Sequence, residues 1–227
     1  MQPRILYLGL DPKNYITEKA SFHNEIVHWP IIEVAPRPLS DPIVYASISR
    51  FKEYSHLILT SKTTVTILHD YLIKIGIDKS EWSKKINLVV GSATAAYLNA
   101  WGITSVVVAK EERAEGILQL MNGMDLNGAH FFYPHSTLSR PLIEEHLKCF
   151  SLRYTACLLY DTFCTNKEVC PDPNQFDEIV FTSPSTVRAF LQIYGKFPLQ
   201  VNLTAIGPIT QNAIDFARNS KFEDRFL

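Results

Sequence analysis

The sequence predicts an α/β protein built from two similar domains with parallel sheets. Three observations support this prediction. Short apolar runs alternate with stretches of helical periodicity from one end of the chain to the other. Strands separated by helices of this length form parallel sheets with right-handed crossovers. One strand-and-helix pattern also occurs twice, which indicates a repeated architecture.

The elements follow from the local pattern. Apolar runs rich in β-branched and aromatic residues predict strands, namely 5–8, 30–34, 56–60, 88–90, 104–109, 130–133, 154–161, 178–181 and 203–206. Apolar residues at helical spacing predict helices, namely 15–27, 64–74, 93–100, 114–121, 140–149, 186–194 and 210–218. A stretch punctuated by prolines separates the second strand from the third.

The internal repeat consists of two ordered pairs of segments. The segment 56–61 (HLILTS) resembles 178–183 (EIVFTS), 122 residues further on, and a Thr-Val pair follows both at the same spacing. The segment 87–94 (NLVVGSAT) resembles 203–210 (LTAIGPIT), 116 residues further on. The change in offset predicts a shorter loop in the second copy. Two ordered matches at nearly one offset favour two α/β domains of similar build.

The position of the copies predicts how the chain is divided. The first copy lies in the middle of the chain and the second at its C-terminal end, so the N-terminal strand and helix need the sheet of the second copy. We therefore expect one domain from 1–34 plus 167–227 and another from 39–161. Linkers are expected at about 31–38 and 159–166.

Composition excludes several classes of protein. With 46% hydrophobic and 20% charged residues, a packed core is expected. The net charge of −1 gives no bulk attraction to nucleic acid or to an anionic membrane. No run approaches the ~20 apolar residues that cross a bilayer. We expect a cytoplasmic protein without a metal site and with reduced thiols at its four cysteines, Cys149, Cys157, Cys164 and Cys170.

Candidate chemistry lies where the predicted strands end, because parallel α/β proteins bind ligands at the carboxyl ends of their strands. Helix starts at these places offer free N–H groups to carboxylates or phosphates. Ser and Thr are also ordinary N-caps, so capping alone is an alternative for each turn. No catalytic triad, Walker loop or GxGxxG is present. The five turns are 60–61, 91–92, 133–136, 182–183 and 207–208.

Several of these segments together resemble a known family. The segments 179–190 (IVFTSPSTVRAF) and 205–210 (AIGPIT) look like the two C-terminal signature segments of the uroporphyrinogen-III synthase family. The segments 58–61, 90–94, Tyr133-Pro134 with Arg140, and 160–162 occur in the family's order and spacing. The resemblance extends from about residue 5 to residue 218.

The resemblance implies a fold and a reaction. The fold would be two flavodoxin-like domains joined by a two-stranded linker, in a monomer. The reaction would need no cofactor or metal: hydroxymethylbilane loses water, its last pyrrole ring is inverted through a spiro intermediate, and the macrocycle closes as the type III isomer. The enzyme would be a cyclising hydro-lyase of heme and tetrapyrrole biosynthesis. Its substrate bears eight carboxylates, which suits helix starts.

The resemblance also implies roles for particular residues. Tyr160 matches a tyrosine thought to aid departure of the substrate hydroxyl, although it could be only a cross-strand aromatic residue. Thr210 matches a ligand-binding threonine or a helix cap, and Arg140 a charged contact or a solvated arginine. The remaining candidates for binding substrate carboxylates, by side chain or backbone, are Ser61, Thr94, Ser183 and Ser185.

Three departures from the family pattern keep other functions open. Gly9 stands where relatives often have Arg or Lys, Lys62 follows the first Thr-Ser turn in place of Pro, and only 219–227 follow the last predicted helix. One alternative is therefore a non-catalytic tetrapyrrole- or anion-binding protein of the same fold, impaired by the short C-terminal segment. A phosphosugar enzyme is another, but no Glu or His is placed convincingly as its base.

Overall fold

A computed structural model describes residues 2–19, 24–165 and 169–219, in two compact units. The first unit is Met1–Glu33 with Phe163–Leu227, and the second is Val34–Thr162. Among the described residues, no helix is both long and apolar enough to cross a membrane. In chain order the elements are β1 (Arg4–Tyr7), α1 (Lys13–Lys19), β2 (Glu25–His28), β3 (Ile32–Pro36), α2 (Pro42–Ser49), β4 (His56–Leu59), α3 (Lys62–Lys74), α4 (Lys79–Ser83), β5 (Ile86–Val89), α5 (Ser92–Ala100), β6 (Val106–Val108), α6 (Ala114–Asn122), β7 (His130–Ser136), α7 (Leu142–Cys149), β8 (Arg153–Cys164), β9 (Glu178–Phe181), α8 (Pro184–Tyr194), β10 (Asn202–Ala205) and α9 (Pro208–Asn219).

The first unit contains a four-stranded parallel sheet in the order β10-β9-β1-β2. Leu6 of β1 lies opposite Ile179 of β9 and Val27 of β2. The apolar cluster on this sheet includes Leu6, Ile179 and Phe190, together with Ile214 of α9. Burial of these side chains against α8 and α9 stabilises the sheet, at about 1.5–3 kcal/mol for each fully buried side chain.

The predicted helix 15–27 is wrong over residues 25–27, which form a strand. Helix α1 ends at Lys19, and β2 begins at Glu25; residues 20–23 lie outside the described part. The adjacent β-branched residues Ile26 and Val27 favour a strand. In β2 they pair with β1, and the Arg4 Nε donates to the Glu25 Oε2 at 3.0 Å across the two strands. The edge of the parallel sheet, which local periodicity does not detect, determines the structure of this segment.

The second unit contains a six-stranded sheet in the order β3-β8-β7-β4-β5-β6. The pairs β8-β7, β7-β4, β4-β5 and β5-β6 are parallel. Side chains on one face join a cluster containing Leu57, Leu59 and Val89, and those on the other face a cluster containing Ile58 and Leu88. A strand buried on both faces explains why 56–60 is a continuous apolar run.

Two helices were absent from the sequence-based prediction. Helix α2 begins with Asp41, whose carboxylate accepts from the Ile43 N–H at 2.8 Å, and Pro42 occupies its first position. Helix α4 begins in the same way at Asp78, which accepts from the Ser80 N–H at 2.8 Å. An Asp N-cap, with Pro at the first helical position in α2, was an available signal for these helix starts.

The sequence repeat corresponds to matching strand-helix units. The first copy forms β4-α3 and β5-α5, and the second forms β9-α8 and β10-α9. Ser61 and Ser183 are the equivalent N-caps of α3 and α8, with extended backbone angles in both cases. The repeated Thr-Ser turn is thus the point at which a strand ends and a helix begins in each unit.

Candidate functional site

The Tyr160 hydroxyl contacts the start of helix α3. Its oxygen lies 3.0 Å from the Oγ of Ser61, so the structure brings together two of the residues selected from the sequence. Ser61 follows the carboxyl end of β4, where its Oγ accepts from the Thr64 N–H at 3.1 Å. A phenol, which can donate a proton, therefore lies beside a helix start that can receive an anion.

A β-bulge in β8 sets the direction of the Tyr160 side chain. Strands β7 and β8 pair regularly as far as His135 opposite Leu158, and then Ser136 lies opposite Tyr160. The extra residue is Leu159. Successive strand residues ordinarily point to opposite faces, yet Leu159 and Tyr160 are both buried in the same apolar cluster. The bulge re-aims Tyr160 towards α3, a common use of such irregularities.

The start of helix α5 already holds a carboxylate from the chain itself. The backbone N–H and the hydroxyl of Ser92 both donate to the Oε1 of Glu112, at 3.0 and 2.9 Å. The predicted ligand Thr94 lies two residues further on and is only 6% exposed. Ser92 was named in the sequence only as part of its turn, and Glu112 was missed because 20 residues separate the two.

Arg140 is paired with a carboxylate of its own chain. Its two terminal nitrogens donate to the Glu115 oxygens at 2.8 and 2.7 Å. The hydrogen bond from Arg140 is the main reason that the pKa of Glu115 falls to about 2. Arg140 precedes α7, which begins at Leu142 rather than at 140 as predicted. A substrate carboxylate at Arg140 would have to compete with Glu115.

Lys62 at the first position of α3 is an exposed cation next to Ser61. Within the described ranges, no carboxylate forms an ion pair with it. Its ammonium is thus available to an external anion at the same helix start that Tyr160 contacts. The sequence analysis named Lys62 as a departure from the family pattern.

In the first unit, Ser183 and Ser185 lie together at the start of α8. Their hydroxyl oxygens are 2.7 Å apart. Ser183 also accepts from the Thr186 N–H at 3.4 Å, within a capping box that includes the Thr186 side chain. Thr210, the third residue of α9, is 4% exposed. It therefore occupies the position in α9 that Thr94 occupies in α5.

Gly9 is required by its surroundings. A Cβ at this position would collide with the Cγ2 of Thr182 and would lie 2.9 Å from the Oγ1 of the same side chain. Thr182 is the residue before the N-cap of α8. A larger residue at position 9 would displace the Thr-Ser turn, so glycine fits the threonine beside it.

The fold and these groups define a class: parallel α/β proteins that offer hydroxyls and helix starts at the carboxyl ends of their strands. In the described part of the chain, no cluster of three His, Cys, Asp or Glu side chains could hold a metal ion. The side chains of Cys149, Cys157 and Cys164 are free thiols. The chain belongs to the uroporphyrinogen-III synthase family, because the sequence model for uroporphyrinogen-III synthase HemD matches residues 17–219. The family expected from the sequence is confirmed.

Similar proteins have consistent descriptions. The porphyrin biosynthesis protein HemD of Ruminiclostridium josui is 27% identical in an alignment over 191 residues that covers 80% of this chain. This chain spans only 37% of that protein's length. The uroporphyrinogen-III synthase of Chlorobaculum parvum is 20% identical over 211 residues, 88% of this chain and 83% of the relative. One relative is named for porphyrin biosynthesis and the other for uroporphyrinogen-III synthesis, and neither name supports the non-catalytic alternative.

Solved structures share the fold. A mutant uroporphyrinogen III synthase from the extremely thermophilic bacterium Thermus thermophilus superposes with a TM-score of 0.68 at 16% identity, over 95% of this chain and 89% of that one. Uroporphyrinogen-III synthetase from Helicobacter pylori gives a TM-score of 0.55 at 16% identity, with the same two coverages. The prediction of an α/β fold dominated by parallel sheets is confirmed.

Proposed function

We propose that this chain is a uroporphyrinogen-III synthase, which closes hydroxymethylbilane into uroporphyrinogen III with inversion of the last pyrrole ring and loss of water. Membership of the family supports the reaction class. The observation that carries the proposal is the Tyr160 hydroxyl, held 3.0 Å from the Ser61 Oγ at the start of α3. A phenol beside a helix start that can receive an anion supports the proposal.

Tyr160 is the proposed catalytic residue. Its O–H donates to the hydroxyl that leaves the hydroxymethyl carbon, the C–O bond breaks, and water departs. The electron-rich pyrrole stabilises the resulting cation, so modest assistance from a phenol is enough. Closure at the substituted carbon of the last ring, followed by ring inversion and loss of a proton from the cyclised cation, gives the type III isomer, and that proton restores the Tyr160 phenol. The way the enzyme positions the linear tetrapyrrole directs this closure. Such positioning of reacting groups generally makes a large contribution to catalysis.

The carboxylates of the substrate are the proposed ligands of the helix starts. Backbone N–H groups and hydroxyls would bind them without a charged cluster. Lys62 adds a cation beside Ser61, and the Arg140 guanidinium becomes available when Glu115 is displaced. The proposed binding residues are Ser61 through its backbone, Thr94, Arg140, Ser183, Ser185 and Thr210.

We also propose the finer architecture. The two compact units would be flavodoxin-like domains, and β3 and β8 their two-stranded linker. Support comes from two backbone hydrogen bonds. The Thr165 N–H donates to the Ile31 carbonyl at 2.9 Å, and the Arg37 N–H donates to the Leu159 carbonyl at 2.9 Å. Residue numbers therefore rise along one segment as they fall along the other, so the two segments run in opposite directions. The proposed enzyme works as a cytoplasmic monomer without metal or cofactor, and nucleic acid and membranes are not its partners.

The test is isomer analysis. The purified chain is supplied with hydroxymethylbilane made in situ by its synthase, the products are oxidised, and type I and type III porphyrins are separated by chromatography. Spontaneous closure gives type I and provides the blank. We expect type III to dominate. If folded protein yields type I alone, the proposed function is wrong.

Tyr160→Phe tests the catalytic role. We expect the rate of type III formation to fall about tenfold to hundredfold, because positioning survives the loss of the donor. Tyr154→Phe removes a hydroxyl from the same strand, β8, and should leave the rate unchanged. An unaltered rate in Tyr160→Phe would refute the role of Tyr160 while leaving the proposed reaction intact.

A further inference from the structure

The Ser61 hydroxyl has no bonding capacity left for a substrate. A serine hydroxyl has one proton and two lone pairs. One lone pair accepts the Thr64 N–H at 3.1 Å. The remaining lone pair and the proton serve two neighbours, the Thr64 Oγ1 at 2.9 Å and the Tyr160 Oη at 3.0 Å. One of these neighbours must therefore donate to Ser61, and the other must accept from it.

The hydroxyls of Thr64, Ser61 and Tyr160 thus form a chain of hydrogen bonds, and donation along it can run in either of two directions. In one, Thr64 donates to Ser61 and Ser61 donates to Tyr160, so the Tyr160 proton is free. In the other, Tyr160 donates to Ser61 and Ser61 donates to Thr64, so the Tyr160 proton is already engaged. Only the first direction leaves Tyr160 able to donate to a substrate.

Burial of Thr64 selects the first direction. Thr64 is 0% exposed, so water cannot accept its proton. In the part of the chain that the structure describes, the Ser61 Oγ is the sole hydrogen-bond partner of the Thr64 hydroxyl. If Thr64 accepted from Ser61, its own buried proton would have no acceptor, which is unfavourable. Thr64 therefore donates, and Ser61 passes its proton towards Tyr160.

The second copy of the repeat has the same cap but a different arrangement of protons. Thr186, equivalent to Thr64, donates to the Ser183 carbonyl at 2.7 Å and accepts from the Ser183 N–H at 3.2 Å. Ser183 bonds the Ser185 hydroxyl instead of a tyrosine. Both serines thus cap a helix. Among the described residues, the Ser61 hydroxyl also bonds a tyrosine hydroxyl, whereas the Ser183 hydroxyl does not.

We propose that Ser61 and Thr64 form a hydroxyl chain that directs the Tyr160 proton to the substrate, with Ser61 as a positioning residue rather than a side-chain ligand. The catalytic consequence of this hydroxyl chain rests on the proposed function. A hydrogen bond donated by Ser61 also stabilises the negative charge that develops on the Tyr160 oxygen as its proton leaves.

The hydroxyl chain itself is tested without turnover. The protein is labelled with tyrosine carrying ¹³C at the carbon that bears the hydroxyl, and the Tyr160 signal is identified by its absence in Tyr160→Phe. Ser61→Ala should shift that signal, whereas Ser183→Ala, which removes the equivalent cap, should not. If the Tyr160 signal does not shift in Ser61→Ala, the proposed hydroxyl chain is wrong, whatever the activity of the variant.

The catalytic consequence is tested by kinetics. Ser61→Ala should lower kcat about fivefold to tenfold with KM within about twofold, and the loss should vanish in a Tyr160→Phe background. Asp41→Ala removes the cap of α2 in the same unit and controls for destabilisation, with a fall in Tm of about 2–4 °C but no change in kcat. Equal losses in both backgrounds would show that Ser61 acts independently of Tyr160 and overturn the proposal.

Thr64 supplies a second variant. Thr64→Val keeps the shape of the side chain but removes the donor, so Tyr160 can donate to Ser61 and kcat should fall. Thr64→Ser restores the donor and should restore kcat. A Thr64→Ser enzyme as slow as Thr64→Val overturns the direction assigned to the chain. Failure of the wild-type protein to form type III product would overturn the proposed function and the catalytic role, while the labelled signal still decides on the hydroxyl chain.

Discussion

Removal of the Glu112 carboxylate should tighten the binding of the proposed substrate, hydroxymethylbilane. Glu112 occupies the start of α5, where it accepts from the N–H and the hydroxyl of Ser92 at 3.0 and 2.9 Å. A substrate carboxylate that binds there must first displace it. Glu112→Ala opens the helix start and removes this competition.

The magnitude follows from the geometry. A carboxylate at an exposed helix start is worth about 0.3–1 kcal/mol, and its two charge-assisted hydrogen bonds place Glu112 at the upper end of this range. A gain of about 1 kcal/mol corresponds to roughly a fivefold lower KM. The change applies equally to bound substrate and transition state, so kcat should stay constant. The free protein should lose about 0.5–1 kcal/mol of stability.

The assay measures initial rates of type III formation over a range of hydroxymethylbilane concentrations, with thermal unfolding in parallel. Glu111→Ala is the matched control, because it removes the same charge from the same loop. Glu111 is bound to Arg113 and Gln119, at 2.8 and 3.0 Å, rather than to a helix start. A KM that is unchanged or higher in Glu112→Ala, or equally lowered in both variants, would refute the competition.

Two further predictions concern stability. Gly9→Ala should cost about 1–3 kcal/mol in denaturant unfolding, because its Cβ meets Thr182, whereas Gly207→Ala enters open space and serves as the control; equal losses would contradict the steric reasoning. The Arg140 hydrogen bond holds the pKa of Glu115 at about 2, below the usual 4.5, so the pair stabilises the fold above about pH 4.5 and ceases to do so as pH falls towards 2. Because the two side chains are 35% and 59% exposed, solvent reduces this contribution to about 0.5–1 kcal/mol. Unfolding midpoints measured against pH should show this loss in the wild type and not in Glu115→Gln, and parallel curves would contradict it.

The sequence was a good guide to the residues that local chemistry controls. Capping was an alternative that the sequence offered for Ser61 and Ser183, because an N-cap depends on a few neighbouring residues, and both residues are N-caps. Segment 25–27 was misassigned because its strand at 25–28 forms only by pairing with β1. Helix α2 was missed although Asp41 and Pro42 carried its signal, since the surrounding prolines suggested an irregular connection.

The sequence by itself determined the α/β class, the repeated strand-turn-helix unit and the family. These follow from hydrophobic periodicity and from short motifs, which act over a few residues. Only the tertiary structure decided that Tyr160 meets Ser61, 99 residues away, and that Glu112 fills the start of α5. Both contacts depend on which strands are neighbours, and the first also depends on one extra residue in β8 that changes the direction of a side chain. Strand register and bulges result from packing of the whole sheet, so a local pattern does not specify them.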